Sequence, residues 1–207
     1  MTASVQAPPV ARSRPLPALA GIGALAASAG AVFVFGDAMA GSGTAAEAAA
    51  ALAGSNAQGS ALLGGLYALL GIAVAGSLAA RLGRVADTGA TRLIAVLGTV
   101  HLLLMGLFLA APAAAVTVGT LVLDERVSPG AAETALVLMN VLHPVATWIG
   151  AAFLIAVALA ARAVSRPLTI ASAVLAVGLL LPPVAWIVTY LLGAWFAGVG
   201  VWLSRRG

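Results

Sequence analysis

LTIASAVLAVGLLLPPVAWIVTYLLGAWFAGVGVWL, residues 168–203, decides how many times this chain can cross a membrane. The stretch is 36 residues long and carries no charge. As one helix it would measure about 54 Å, against a hydrocarbon core of about 30 Å. Pro182 and Pro183 stand inside it. Proline lacks a backbone N–H and pushes the residue before it out of the helical region, so two in succession break the helix. The sequence therefore predicts a helix over 168–181, a tight turn, and a last helix over 183–203. The first of the two is short for a full crossing.

Working outward, four more apolar runs precede this pair. They predict spans at 16–36, 61–80, 92–112 and 135–161. Gly36-Asp37, Arg81 with Arg84, Asp124-Glu125-Arg126 and Arg162 bound them. Ser128-Pro129-Gly130 marks a helix start, since proline suits the first turn. Residues 1–15 are polar and Pro-bearing and read as a disordered cytoplasmic tail. Residues 16–204 then form one six-helix transmembrane domain. Its outer loop, 37–60, holds a capping box, Thr44-Ala45-Ala46-Glu47, which predicts a short surface helix over 45–53. Ala38-Met39-Ala40 resembles a signal-peptidase site. The preceding apolar stretch is longer than the 7–15 residues of a usual signal core, and Asp37 sits beside the site, so the run reads as a span.

Composition agrees. Of 207 residues 62% are hydrophobic and 8% charged, with a mean hydropathy of +1.12. A soluble domain is about a quarter charged, so the fold class is all-α, a polytopic transmembrane helix bundle with lipid as its solvent. No cysteine is present, which excludes disulfides, thiolate catalysis and Cys-ligated metal. All ten basic residues are Arg. They lie in small groups between apolar runs, which excludes a nucleic-acid stripe.

The same arginines orient the chain. With six spans and a cytoplasmic N-terminus, Arg12, Arg14, Arg81, Arg84, Arg92, Arg162, Arg166, Arg205 and Arg206 fall inside and only Arg126 outside. That is what the positive-inside rule requires, and it puts both termini in the cytoplasm. A five-span chain would leave Arg205 and Arg206 outside.

Membrane helices associate through small residues that let backbones approach. Ala20, Ala24 and Ser28, with Gly23, Ala27 and Ala31, form such faces on the first helix. Gly64 with Ala68 and Gly71 with Ala75 do so on the second, and Gly193 with Ala197 and Ala194 with Gly198 on the last. They predict packing within one bundle or against other membrane proteins, including a second copy. Trp148, Trp186, Trp195, Trp202, Tyr67 and Tyr190 read as interfacial anchors or core filler.

No Asp, Glu or Arg lies within a predicted span beyond Arg92, which stands at the edge of one. Ionisable groups usually mark ion pathways in membranes, so a coupled pump is disfavoured. The candidate ligand-binding residues are His101 on the third helix and Asn140, His143 and Thr147 on the fourth. Pro144 cannot bond the carbonyl of Asn140, so amide, imidazole and a free carbonyl share one turn. The patch reads either as a kink satisfied by neighbours or as a ligand contact. Two imidazoles at one depth could also hold a haem. Counting from Arg92 puts His101 about 13 Å above the inner boundary. Counting from Glu133 sets His143 level with it, whereas counting from Arg162 lifts His143 to about 28 Å. No catalytic residue, metal site or cofactor is predicted.

The stretch Thr44–Arg84 (TAAEAAAALAGSNAQGSALLGGLYALLGIAVAGSLAARLGR) places an acidic, Ala-rich outer helix before span two, and Leu192–Arg206 ends a last span in an apolar-Arg-Arg tail. This layout resembles uncharacterised six-span integral membrane proteins of high-GC bacteria. The resemblance implies an architecture and no activity. Three functions follow from the residues themselves. One is a non-catalytic membrane component or accessory subunit. A second is a small permease for a neutral or weakly polar substrate, using Asn140, His143 and Pro144. The third is a haem-bearing redox protein through His101 and His143.

Overall fold

The computed structural model describes residues 15–35, 44–122 and 127–205. The predicted tail and the Ala38-Met39-Ala40 site lie outside them. The described residues are helical apart from turns: α1 (Leu16–Phe35), α2 (Ala45–Ala53), α3 (Ala57–Gly83), α4 (Gly89–Thr117), α5 (Pro129–Ala161), α6 (Arg166–Leu180) and α7 (Pro182–Arg205). A π-helical turn, Val118–Val122, continues α4. Five helices, α1, α3, α4, α5 and α7, are long and apolar enough to cross a membrane; α6, with 15 residues, is shorter.

Three helices begin earlier than the apolar runs, because polar caps start them. Asn56 accepts from the Gly59 N–H at 3.0 Å and Ser128 from the Ala131 N–H at 3.2 Å. Thr88 and Thr91 answer each other's backbone donors at 3.3 and 3.0 Å. Each cap satisfies helix-start N–H groups that have no partner inside the helix. The Thr44 box forms as expected: Glu47 N–H reaches Thr44 Oγ1 at 3.2 Å and Thr44 N–H reaches Glu47 Oε2 at 3.0 Å. The helix it starts is more than a surface element, however. Ala48, Ala49 and Leu52 are buried as α2 packs on α5, because alanine lets the two backbones close up. Nor does Pro112 end α4, which runs on to Thr117.

Around the bundle α1 packs on α3, α3 on α4, α4 on α5, α5 on α6, α6 on α7, and α7 returns to α1. Every seam is antiparallel, as the glycine neighbours show. On α3 and α4, Gly64 faces Leu109, Gly71 faces Leu102 and Ala75 faces Gly98. On α1 and α3, Gly23 meets Leu70 and Gly30 meets Leu63. Gly178 meets Val188, while Trp195 donates to Ser172 Oγ at 3.2 Å, so α6 and α7 fold back on each other. The reversal falls on Leu181, whose backbone is extended (φ −98°, ψ 101°) just before Pro182, where the sequence sets the turn.

At the α1–α7 seam the two backbones themselves come together. A Cβ on Gly21 would lie 2.5 Å from the Phe196 carbonyl oxygen, and one on Gly200 would run into the Pro17 carbonyl. The Ala18 N–H, one of the unpaired donors of the α1 start, reaches Ser204 Oγ across this seam at 3.0 Å. Ala24, Ala27 and Ala31 are buried, as are Gly64, Ala68, Gly71 and Ala75. Ala194 and Gly198 face outward instead, and a methyl added to Gly198 would meet nothing within 4 Å. Phe153 and Phe196, both fully buried, fill the centre with Trp195 edge-on to each (5.5 and 5.1 Å).

At one end of the bundle Arg81 lies 6.0 Å above the Trp202 ring. In the turn between α3 and α4, Arg92 holds Asp87 by two hydrogen bonds of 3.0 and 2.7 Å, both side chains largely in solvent.

Candidate functional site

The four sequence candidates separate into two buried imidazoles, a buried threonine and an exposed amide. His101 is fully buried. Its Nδ1–H donates to the Ala146 carbonyl on α5 at 2.8 Å, since a carbonyl can only accept. Nε2 then carries the lone pair, buried and without a partner. Ala146 is three residues beyond His143, so His101 reaches α5 within one turn of His143 and the two lie at similar depth.

His143 is buried too, but it belongs to a different cluster. Its ring lies parallel to the Trp186 indole, with centroids 3.6 Å apart and 8° between planes. Phe108 of α4 packs obliquely on both, at 5.6 and 5.8 Å. Thr189 of α7 donates its hydroxyl proton to the Ala185 carbonyl at 2.8 Å. Its oxygen is left to accept from His143 Nε2 across a long 3.4 Å contact, which assigns that proton to Nε2. Thr147 turns back on its own helix, donating to the Pro144 carbonyl at 2.8 Å. Asn140 lies on the exposed side of α5 and donates to Leu136 O at 2.9 Å. Three residues before His143 on a helix is about 60° around its axis, enough to carry Asn140 out of the interior.

Beside His143 is a cavity of about 140 Å³ between α1, α3, α4, α5 and α7. Ser28 and Ala31 of α1, Tyr67 of α3, Met105 and Phe108 of α4, and Trp186, Thr189 and Tyr190 of α7 line it with His143. Among the described residues no charged side chain lines it. Tyr67 is 3% exposed, and its phenol oxygen has no hydrogen-bond partner among the described residues. A buried hydroxyl left unpaired loses about 1–3 kcal/mol of solvation that nothing in the fold returns. Sequence alone does not mark Tyr67, Trp186 and Thr189 as cavity residues, because aromatic residues in apolar helices look alike whether they anchor or line. The spacing of Trp186, Thr189 and Tyr190 at i, i+3 and i+4 is the available signal, since it sets three polar-tipped side chains on one face.

These residues do not fit a haem. Axial ligation by two histidines needs both imidazoles to offer a bare nitrogen to one iron. His143 Nε2 is directed at Thr189 and one face of its ring is covered by Trp186. A cavity of about 150 Å³ takes a benzene molecule, far less than a tetrapyrrole. Among the described residues no three His, Asp or Glu side chains converge on a metal position. No protein-family model, curated protein or solved structure matches this chain.

Proposed function

We propose that this chain is a multi-pass protein of the bacterial plasma membrane, with six spans and both termini cytoplasmic. It acts there as a non-catalytic membrane component that binds a small uncharged molecule inside its helix bundle. The observation that carries this reading is the cavity beside Tyr67 and His143. Binding pockets are typically apolar with a few convergent polar groups, and this one has that make-up. α6 counts as a span because it runs back along α7 and carries no charge after Arg166, although it is shorter than the others. The layout shared with six-span proteins of high-GC bacteria supports the same topology. The surrounding lipid is the main partner, and the outward Ala194 and Gly198 of α7 suit close approach by a helix of another chain or a second copy.

The test is saturable binding by protein in lipid nanodiscs, against Ala31→Leu, which adds bulk to the cavity wall. Small neutral molecules should bind the native protein and lose that binding in the variant. Equal uptake by both would refute the site. A permease reading is favoured by Pro144, next to His143 in the middle of a membrane-length helix. Flux of a bound molecule into liposomes separates transport from binding.

A further inference from the structure

We propose that the occupant of this cavity is a flat, uncharged, single-ring molecule, soluble in the membrane, whose ring carries one hydrogen-bond-accepting oxygen. This rests on the reading of the cavity as a binding site and names what it selects. Size is the first constraint. About 140 Å³ is room for one six-membered ring and a substituent, no more.

Shape is the second. His143, Trp186 and Phe108 form a fixed aromatic wall, locked by a 3.6 Å stack and two oblique contacts. Tyr67 comes from α3 and is held edge-on to Phe196 at 6.1 Å, with an interplanar angle of 77°. Tyr190 also lines the space. Five rings therefore meet at one small cavity. Aromatic surfaces pair best with other flat rings, offset or edge-to-face, and a puckered ring of equal volume makes poorer contact.

Chemistry is the third. Tyr67 offers a buried O–H with nothing to receive it. Thr189 has already given its proton to Ala185. The Tyr67 O–H is the buried donor that a ligand can satisfy, and a hydroxyl or carbonyl oxygen on the ring would accept from it. The described lining carries no charge, which favours a neutral molecule. Trp186 and Tyr190 are also exposed on the outside of the bundle, so the wall near them is the short way in from lipid.

Three probes decide it: phenol, benzene and cyclohexanol, titrated into nanodiscs holding the native chain, Tyr67→Phe or Trp186→Leu. Partition into lipid is common to all three proteins, so differences among them belong to the cavity. Phenol should bind the native chain best. Tyr67→Phe should weaken phenol about three- to tenfold, the worth of one hydrogen bond, and leave benzene unchanged. Trp186→Leu should weaken both flat probes and spare cyclohexanol. If cyclohexanol binds as well as phenol, or Tyr67→Phe affects phenol and benzene alike, the proposal is overturned while the binding site survives. If none of the three binds, the site holds water and the reading of the cavity as a ligand site falls with it.

Discussion

The His101 ring occupies the space that Gly150 leaves open on the facing helix. A Cβ on Gly150 would sit 2.7 Å from Nδ1 and 2.8 Å from Cε1 of that ring, with Leu179 Cδ1 at 3.1 Å on the other side. The hydrogen bond from Nδ1 to Ala146 O depends on this gap. Gly150→Ala therefore overpacks the α4–α5–α6 junction and should lower stability by about 1–3 kcal/mol. Thermal unfolding in detergent measures it. Gly76→Ala is the control, since nothing lies within 4 Å of its added methyl and alanine is the better helix former. Equal transitions for the two variants would remove His101 from the seam.

Two glycines on α7, two residues apart, should behave oppositely. Gly200 lies against Pro17 and Gly21 of α1, whereas Gly198 faces open space. Gly200→Ala must push α1 away, and its amides should then exchange with deuterium faster. Gly198→Ala should leave α1 exchange as it is. Unchanged protection in both variants would mean that α1 does not depend on this contact.

Topology is directly measurable, because the chain has no native cysteine. In intact cells an impermeant thiol reagent should label a cysteine placed at Ser55 and miss one at Ala86. A C-terminal green fluorescent protein should be bright and alkaline phosphatase inactive. Phosphatase activity at that end would leave five spans.

Asp87 and Arg92 form a well-shaped pair in the wrong place to matter much. The hydrogen bonds from Arg92 hold the Asp87 carboxyl below the usual carboxylate range. A lowered folded-state value means that any stability from the pair is present above the unfolded carboxylate pKa. It is lost as pH falls through the folded one. Both side chains are more than 60% exposed (63% and 74%), so solvent and salt screen the attraction. Asp87→Asn should leave the unfolding temperature at neutral pH and physiological salt unmoved; a clear drop would show that this turn governs the α3–α4 hairpin.

The architecture is largely legible because lipid makes membrane sequences blunt. Every long helix has to be an apolar run, and Pro182-Pro183 has to be its own reversal. The capping box at Thr44 is readable almost to the atom, since it is a purely local motif. Helix starts are harder: Asn56 and Thr88 begin helices outside the apolar runs, where hydropathy gives no signal, whereas Ser128 is legible through the proline that follows it. The site is half visible. His143 stands out as a polar residue in an apolar run, and Thr147 follows it inward. Asn140 does not, because which side of a helix faces the interior depends on its neighbours. Tyr67 is hidden for the same reason, its buried hydroxyl showing only once α1, α4 and α7 are in place around it.

One stave of this barrel is cut short. α6 is about 22 Å long, roughly 8 Å less than a typical hydrocarbon core, and Ile170, Val174, Val177 and Leu180 form its exposed apolar stripe. If the ring spans the bilayer as proposed, the lipid along that flank has to thin to match it, while α3, across the ring and 27 residues long, asks for no thinning on its own side. The protein then tilts the local membrane thickness across its own width. It should be most heat-stable in short-chain phosphatidylcholines and lose stability as the acyl chains lengthen.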